Sequence, residues 1–451
     1  MSGELFGPIF VPDAFREAVS GRAWLQAMLD AERALAVAGA RAGLIPPDDA
    51  EAIARHCDAG LFDAGEIGHK GRPAGNPVPA LARALTEVVA KTSEAAARHV
   101  HMGATSQDIT DTAAMLVSRR ALDLILTEVD GIADACARLA REHRDTPMAG
   151  RTLLQQALPT TFGLKAAGWL VPVLEARRKL RQVRASGLAV QLGGAAGTLA
   201  SLGGSGPSVL REFALELGLP EPPLPWHTDR TRISTIAEAL SLLAGVLGKI
   251  SQDVVLMAQT EVGEVAEPAG EGRGGSSTLP HKRNPILSVT AAANARRVRD
   301  LSRTLGAAMV QEHERAAGAW HSEWEALSDA LALAGGAAAN VREATEGLEV
   351  YPERMRENLD RTGGMLLAEN VTTRASASLG RLAAHDLVEA ACRRALENGE
   401  HLRAELVRDG RIREALSEEE IDAALDPAGY LGSAGTFVDR ALELHRAERA
   451  P

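Results

Sequence analysis

The chain has 451 residues, of which 49 are Lys or Arg and 60 are Asp or Glu, so its formal net charge at pH 7 is −11. Hydrophobic residues make up 45% of the sequence but aromatic residues only 3%, which makes the apolar content mainly aliphatic. This composition favours closely packed helices over β-sandwiches and barrels. The acidic balance argues against general binding to nucleic-acid phosphates, which requires a basic surface.

The cysteines and the N-terminal segment exclude several further classes. Cys57, Cys136 and Cys392 are odd in number and far apart, and no C-x-x-C occurs. Neither a disulfide framework nor a zinc site is therefore predicted, and we expect a reducing, cytoplasmic environment. Residues 1–50 contain acidic residues throughout and no basic-then-apolar leader, so no signal peptide is expected. No segment approaches the ~20 uninterrupted apolar residues of a membrane span.

Long helical tracts dominate the middle of the sequence, and β-hairpin signals are nearly absent. Five long helices are predicted, at Thr112–Arg144, Thr161–Gln191 (with a kink at Pro172), Ile233–Glu267, Ile286–Glu314 and Ser322–Gly347. A Thr235…Glu238 capping box is expected to open the third of them. Together they predict an all-α fold with a central, elongated five-helix bundle.

The length and the helix pattern indicate three helical domains. They are an N-terminal domain at 1–110, a central bundle at 111–350 with a mobile loop at 268–285, and a C-terminal domain at 351–451. Several of the long helices are apolar on more than one side, as in the segment Ser241–Leu247. We therefore expect the helices to pair across subunits, although a larger monomeric core would also cover such faces.

The stretch 270–285 is rich in Gly and contains Ser276-Ser277 and Lys282-Arg283-Asn284-Pro285. Asn at the N-cap and Pro at N1 predict that a helix begins here. Lys282, Arg283 and Asn284 would lie at its positive end, where a carboxylate binds well. A long loop between two helices usually has a function, so we favour a functional loop over a flexible surface loop with a basic tip.

Two further stretches contain polar residues ahead of a predicted helix. In His101–Thr112, Thr105…Asp108 predicts a helix N-terminus, which offers hydroxyls and amides to an anion but is by itself more typical of an ordinary cap. In Gly150–Gly163, Arg151, Thr152, Gln155 and Gln156 could orient a polar ligand. A plain corner between two helices explains this third stretch equally well.

Metal and nucleotide sites are not predicted. No H-x-x-x-H or similar spacing is present, and His227, His313 and His321 are more typical of structural hydrogen bonding than of catalysis, whereas His281 lies in the loop. Gly193–Gly197 and Gly248-Lys249 do not follow a predicted strand, so a nucleotide-binding module is rejected.

The three stretches, in this order, resemble the fumarase/aspartase superfamily, which includes argininosuccinate and adenylosuccinate lyases. The glycine-serine-serine loop that ends in Lys282-Arg283-Asn284-Pro285 is similar to the signature of that superfamily. Within it the chain most resembles the bacterial cycloisomerases that act on 3-carboxy-cis,cis-muconate. Further similar stretches are Leu192–Leu199, Pro225–Arg232, Gln311–Glu325 and Asp426–Gly432.

This resemblance implies an assembly, an activity and a site. The implied assembly is a homotetramer whose central bundle interleaves four subunits, with each active site built from three chains and with no metal or organic cofactor. The implied activity is lactone closure in the protocatechuate branch of aromatic degradation, acting on a small-molecule tricarboxylate. Neither nucleic acid nor a membrane is implied as a partner.

The site residues are carried over by position from the family's motifs. Ser276 matches the proton-transferring serine and Ser277 its neighbour in binding, whereas Lys282 and Asn284 match the residues that grip a substrate carboxylate. Thr105 and Ser106 match the binding pair of the second stretch, and His101 a histidine found there in the lyases. Arg230, in the Pro225–Arg232 stretch, and Arg151, Thr152, Gln155 and Gln156 complete the expected substrate-binding set.

One departure from the family pattern separates the possible activities. The lyases have a histidine directly after the Thr of the third stretch, where this chain has Leu153, and close cycloisomerases tend to have one where this chain has Gln156. Lactone closure has no leaving group to protonate, so the missing histidine counts against lyase chemistry. An adenylosuccinate-type lyase and a catalytically inactive scaffold are the two alternatives.

Overall fold

The computed structural model describes residues 3–270, 279 and 282–449. The chain forms two compact units, each made of three segments. The first unit comprises Met1–Asp130, Glu175–Lys249 and Thr290–Asn340, and the second comprises Gly131–Leu174, Ile250–Val289 and Val341–Pro451. The three-part division predicted from the sequence follows the order of the chain rather than these units, and it stays a prediction.

Shorter helices occupy the region before the predicted bundle. Most begin with Ser, Asp or Pro, the residues typical of helix starts. They are α1 (Gly3–Phe10), α2 (Asp13–Ala18), α3 (Gly21–Arg41), α4 (Pro47–Arg55), α5 (Ala64–Gly71), α6 (Val78–Ala90) and α7 (Glu94–Ala97).

The predicted long helices are all present in the described chain, and the all-α class is confirmed. Apolar residues such as Met115, Leu122 and Val129 on the first of them are fully buried, as their spacing predicts. The elements are α8 (Ser106–Glu142), α9 (Phe162–Gln182), the shorter α10 (Gly206–Leu217), α11 (Thr231–Met257), α12 (Ile286–Ala307) and α13 (Glu323–Glu346).

The predicted capping box at Thr235 is wrong. The Asp229 carboxylate accepts the backbone N–H of Thr231 at 3.1 Å, and the helix begins at Thr231, five residues before Ile236, where the box would place its start. The Thr235 hydroxyl lies inside α11 and donates to the Thr231 carbonyl at 2.7 Å. A Thr or Ser that bonds to the preceding helical turn is the alternative to capping.

A β-hairpin, which the sequence did not predict, replaces the expected corner between α8 and α9. Strands β1 (Pro147–Thr152) and β2 (Gln155–Thr161) pair antiparallel, with Arg151 opposite Gln156 and Thr152 opposite Gln155. Two short strands, β3 (Val265–Ala266) and β4 (Glu349–Val350), form a second antiparallel pair. The second unit therefore contains local sheet structure that an all-helical interpretation misses.

The C-terminal helices enclose a small aliphatic core that includes Val371, Ala384, Leu402 and Ile421. Its members lie on one face of each amphipathic helix, which explains why these short helices are stable. The elements are α14 (Pro352–Asp360), α15 (Ala368–Leu379), α16 (Arg381–Asn398), α17 (Leu402–Arg408), α18 (Gly410–Ala415), α19 (Glu418–Ala424) and α20 (Ala434–Ala447).

Among the described residues, one helix is long and apolar enough to cross a membrane by composition. It is α11, and 56% of its most apolar window is buried inside the protein. Core helices of water-soluble proteins have the same composition, so this helix is weak support for a membrane span.

Candidate functional site

The turn that precedes α8 contains the second sequence stretch. α8 begins at Ser106, directly after Thr105, so the predicted helix N-terminus is confirmed. The backbone N–H of Thr105 donates to the Asp108 carboxylate at 2.9 Å, which is one half of a capping box. Thr105 and Ser106 are both half-buried. Their hydroxyls and the first amides of the helix can together bind an anion.

Asp108 holds this turn in place. Its carboxylate is fully buried and accepts hydrogen bonds from the Gly193 and Gly194 amides at 2.9 Å each and from His227 Nε2 at 2.6 Å, besides that from Thr105. A Cβ at Gly193 would lie only 2.7 Å from the His227 ring, which explains the glycine there. Asp108 thus ties the Thr105–Ser106 turn to a second glycine-rich turn of the same unit.

Arg230 is buried in a charge network and is not on a ligand-accessible surface. Its side chain is 1% exposed, it donates two hydrogen bonds to Asp111 at 2.8 and 2.9 Å, and it also pairs with Glu323. The Trp320 indole N–H donates to Asp111 at 3.0 Å. All three nitrogens of this guanidinium are thus engaged with carboxylates, and direct substrate binding by Arg230 stays a prediction.

The electrostatics of this network follow from burial. Burial lowers the pKa of Arg230, but attraction to Asp111 and Glu323 outweighs it, and the net pKa is raised. Burial raises the pKa of Glu323, and its hydrogen bond with Arg230 opposes that shift. The network is therefore a structural support for α8 and α13 that keeps its charge.

His101 lies four residues before Thr105 and pairs with an acid that the sequence reasoning missed. Its Nδ1 lies 2.6 Å from Glu32 Oε1, and the Glu32 side chain is almost fully buried in α3. Burial lowers the pKa of His101, but the charge and the hydrogen bond of Glu32 raise it, and the net shift is upward. The backbone of His101 has a φ of +58°, which is uncommon for a residue other than glycine.

The hairpin places the third stretch at its tip. Leu153 and Leu154 form the two-residue turn with φ values of +50° and +65°, and Leu153 is 98% exposed. Two consecutive positive φ values are the geometry of a type I′ turn, which normally selects Asn or Gly. Thr152 and Gln155 flank this turn as a cross-strand pair and are exposed.

Behind the tip, Arg151 and Gln156 bond to polar groups of the buried residues Glu264 and Asn358. Arg151 makes two hydrogen bonds to the fully buried Glu264 at 2.6 and 2.9 Å, and Asn358 Nδ2 donates to the same carboxylate at 2.9 Å. Gln156 Nε2 donates to the Asn358 carbonyl at 2.9 Å. Among the described residues, Gln156 Oε1 and Asn358 Oδ1 are buried acceptors that have no hydrogen-bond donor.

The signature loop is described only at its ends. Ser276, Ser277 and His281 lie outside the described residues. Lys282 is exposed, and Asn284 is half-buried two residues before α12. Arg283 pairs with Glu349 at 2.7 Å and donates to the Glu267 carbonyl at 2.7 Å. The hydrogen bonds of Arg283 and Tyr351 lower the pKa of Glu349 to about 2.

A carboxylate does lie at the start of α12, but it belongs to the chain itself. Glu267 accepts the backbone N–H groups of Leu287 at 2.9 Å and Ser288 at 2.7 Å. The helix-end amides that were expected to attract a substrate carboxylate are therefore occupied. Of the two cations in that predicted set, Arg283 pairs with Glu349, and Lys282 is exposed.

A groove of about 900 Å³ lies in the C-terminal part of the second unit, and its walls include Thr372, Leu382 and Val388. No described residue of the three sequence stretches lines it. An exposed cluster of possible metal ligands lies on α16 and consists of His385, Asp386 and Glu389. Exposed acidic groups often cluster in this way without binding an ion. The candidate functional residues are therefore those of the three stretches, considered in each unit separately.

The structure brings the predicted residues together in two sets. His101, Thr105 and Ser106 share one turn of the first unit, whereas Arg151–Gln156 and Lys282–Asn284 belong to the second. Sequence reasoning missed the acids that support them, which are Glu32, Asp108, Glu264 and Glu267. No local pattern distinguishes these acids from exposed ones, because burial and long-range pairing are not encoded in local spacing.

The comparisons with known proteins agree with this fold and these stretches. A family described as lyase matches residues 11–299, and one described as the adenylosuccinate lyase C-terminus matches residues 364–441. The chain therefore belongs to the lyase family of the fumarase/aspartase superfamily, as its motifs indicate. The sequence-based assignment to this superfamily is confirmed.

Individual relatives narrow the assignment. The chain is 47% identical to a 3-carboxy-cis,cis-muconate cycloisomerase from Pseudomonas aeruginosa, covering 99% of this chain and 97% of the relative. It is 46% identical to a nitrosuccinate lyase from Streptomyces davaonensis, covering 97% and 94%. The crystal structure of 3-carboxy-cis,cis-muconate lactonizing enzyme from Pseudomonas putida superposes with a TM-score of 0.95 at 44% identity, covering 99% of this chain and 100% of that one.

Proposed function

We propose that this protein is an enzyme that converts 3-carboxy-cis,cis-muconate to 4-carboxymuconolactone, in the protocatechuate branch of the β-ketoadipate pathway. The observation that carries the proposal is the 47% identity, over 99% of the chain, to a cycloisomerase of that substrate. The fold similarity to the lactonizing enzyme of Pseudomonas putida supports it independently of any one motif.

The chemistry requires positioning more than it requires an activated group. One substrate carboxylate oxygen forms a bond to a diene carbon of the same molecule, and the displaced electron pair moves to the neighbouring carbon and its carboxylate. That carbon takes up one proton, so three carboxylates become two carboxylates and a lactone. Fixed geometry accelerates such an intramolecular addition, and donors aimed at the carboxylate that gains charge stabilise its transition state.

The residues of the two sets suit these tasks. Thr105 and Ser106 can bind one substrate carboxylate at the start of α8, and Lys282 with Asn284 can bind another. Ser276 is assigned the proton transfer and Ser277 substrate binding, by their match to the family's signature. Because the chain has a net charge of −11, these local donors must attract a trianionic substrate against the overall field.

Gln156 occupies the position at which close cycloisomerases tend to have a histidine. Its amide nitrogen is fixed by Asn358, and its buried oxygen has no donor among the described residues. Such an acceptor can bind a water molecule or a protonated group of the substrate. Gln155 and Thr152, at the exposed tip, can contact the substrate from the same hairpin.

We also propose that four chains assemble and that each site draws on three of them. Large apolar side chains are exposed on the elements that would pair, among them Leu153 at the hairpin tip, Leu242 on α11 and Val289 on α12. Assembly would remove this apolar surface from water. The three free cysteines suit the reducing cytoplasm, where we place the enzyme.

A second activity is supported by one comparison. The nitrosuccinate lyase relative is as similar in sequence as the cycloisomerases, which makes elimination from a substituted succinate the alternative. Elimination needs a donor for its leaving group, and Leu153 stands where the lyases have a histidine. Nitrite is a stable anion that leaves without a proton, so this alternative fits the site better than an adenylosuccinate-type lyase.

The experiment that tests the proposal offers the purified protein three substrates in parallel. With 3-carboxy-cis,cis-muconate we expect loss of the conjugated diene absorbance. With nitrosuccinate we expect no release of nitrite, and with adenylosuccinate no release of fumarate. Faster turnover of either succinate would replace the proposal, and no turnover of any of the three would favour an inactive scaffold.

A further inference from the structure

The Thr105–Ser106 turn has an electrostatic problem as a site for a carboxylate. Its own hydroxyls and amides are neutral, and the buried carboxylate of Asp108 lies directly behind it and accepts the Thr105 amide. A substrate carboxylate at this turn would therefore approach a fixed negative charge. Arg315, which donates to the neighbouring Gln107 side chain at 2.9 Å, offsets part of that charge, and a cation on the ligand side of the turn would offset more of it.

His101 is the basic side chain closest to this turn along the chain, four residues before Thr105. Its ring is partly exposed, with 22% of the side chain accessible, whereas its partner Glu32 is 1% exposed. Glu32 Oε1 accepts the hydrogen of Nδ1 at 2.6 Å, which leaves Nε2 as the nitrogen that can face a ligand. A carboxylate buried in α3 with a histidine as its partner is stabilised when that histidine is charged.

We infer that Glu32 is a positioning residue that keeps His101 in its cationic form and directs its Nε2–H to the ligand side of the Thr105–Ser106 turn. The imidazolium then binds a substrate carboxylate that the neutral donors of the turn alone would hold weakly. This inference rests on the proposed function, since that function supplies the carboxylate.

The surrounding charges support the cationic form. Among the described residues, the charged groups that act on the ring are Glu32, on α3, and Asp108, on α8, and both are negative. Burial opposes protonation, yet the pKa of His101 is raised, because the charge and hydrogen bond of Glu32 exceed the effect of burial. The hydrogen bond between Nδ1 and Glu32 Oε1, at 2.6 Å, fixes the orientation of the ring.

The test is hydrogen–deuterium exchange at the imidazole C2–H of each histidine, followed by mass spectrometry on the full-length protein as a function of pH. We expect the exchange midpoint of His101 to lie above the ordinary value of about 6.5. Glu32→Gln keeps an acceptor for Nδ1 but removes the charge, so the His101 midpoint should fall by about one pH unit or more. His99, which faces Asp49 at 3.5 Å, is the internal control and should keep its midpoint.

An unchanged His101 midpoint in Glu32→Gln would overturn the inference. If that variant does not fold, the exchange midpoint of the wild-type protein still tests the inference. A His101 midpoint at or below about 6.5 contradicts the cationic form. In steady-state assays near pH 7.5 we expect Glu32→Gln to raise KM for the tricarboxylate about tenfold with a smaller change in kcat, since it weakens ground-state binding.

The two proposals can fail separately. If the wild type does not consume 3-carboxy-cis,cis-muconate, the proposed function fails, while the exchange midpoints still report on the Glu32–His101 pair. If the wild type consumes it and His101 titrates as an ordinary histidine, the inference fails alone.

Discussion

Buried carboxylates organise this protein at the scale of single residues. Asp108, Glu264 and Glu323 are each buried, and each is matched by several donors from neighbouring elements. A buried acid without such partners would cost several kcal/mol, so these donors and acids depend on one another. The residues expected to bind substrate, such as Thr105 and Arg151, are fixed by bonds to these acids.

A substitution at Arg230 tests whether this residue stabilises the fold or binds substrate. Replacing it by Met leaves Asp111 and Glu323 buried without a counter-charge, and we expect Arg230→Met to lower the free energy of unfolding by about 3–5 kcal/mol near pH 8. Burial raises the pKa of Glu323, and loss of the Arg230 charge should raise that pKa further, so the stability of the variant should rise as the pH falls from 8 to 5. Chemical denaturation at the two pH values measures this.

The control is Arg184→Met, which breaks an exposed pair with Asp123 and should change stability by less than about 1 kcal/mol. If Arg230→Met were as stable as the wild type and instead raised KM, Arg230 would be a substrate ligand after all.

Gln156 tests the role of the hairpin in catalysis. Its oxygen is a buried acceptor with no donor among the described residues, so truncation should remove a bond made only to substrate or water. We expect Gln156→Ala to lower kcat/KM about 10- to 100-fold, since one such hydrogen bond is worth roughly 1–3 kcal/mol. Steady-state kinetics with 3-carboxy-cis,cis-muconate measures the change, and full turnover with unchanged affinity would show that Gln156 has no such role.

At the scale of elements, long helices were predictable and the hairpin was not. The five long helices follow from apolar spacing and from proline positions, which are local properties of the sequence. The hairpin turn is formed by Leu153-Leu154, whose positive φ values no turn preference predicts. Its strands are fixed instead by tertiary contacts such as that between Arg151 and Glu264, which lie 113 residues apart.

The cap at the start of α12 leads to a testable prediction at the scale of elements. Because Glu267 caps two amides of that helix, we expect Glu267→Ala to lower the free energy of unfolding by about 1–2 kcal/mol. It should also lower kcat/KM, because the cap fixes the chain directly after Lys282 and Asn284. Thermal melting and kinetics check both effects, with Glu418→Ala, an exposed acid in the first turn of α19, as the control. Equal melting midpoints for the two variants would show that the cap is not needed.

At the scale of the whole molecule, the sequence predicted the class and the family but not how the site is supported. Composition and periodicity predicted an all-α protein, and the loop that ends at Pro285 identified the superfamily. The partner acids Glu32 and Glu264 could not be found, because burial and long-range pairing are not encoded in local spacing. The binding role assigned to Arg230 by its position in a motif stays a prediction, and the structure adds its pairing with Asp111 and Glu323.

The proposed sharing of each active site between chains can be tested with mixed oligomers. If Ser276 and Gln156 of one site come from different chains, mixed tetramers of Ser276→Ala and Gln156→Ala contain sites with neither change. Random 1:1 mixing should restore about one quarter of the wild-type activity, because each position is intact with a probability of one half. Co-expression followed by the diene assay measures this, and activity no higher than that of the two single variants would place both residues of a site on one chain.

The most direct test of the account is the product formed in D₂O from 3-carboxy-cis,cis-muconate, followed by proton NMR. The account predicts complete conversion to 4-carboxymuconolactone, with one deuterium on the carbon next to the new carbon–oxygen bond. Ser276→Ala should slow this conversion by orders of magnitude. A wild-type protein that leaves the diene intact, or that releases an open-chain product, would contradict the proposed function.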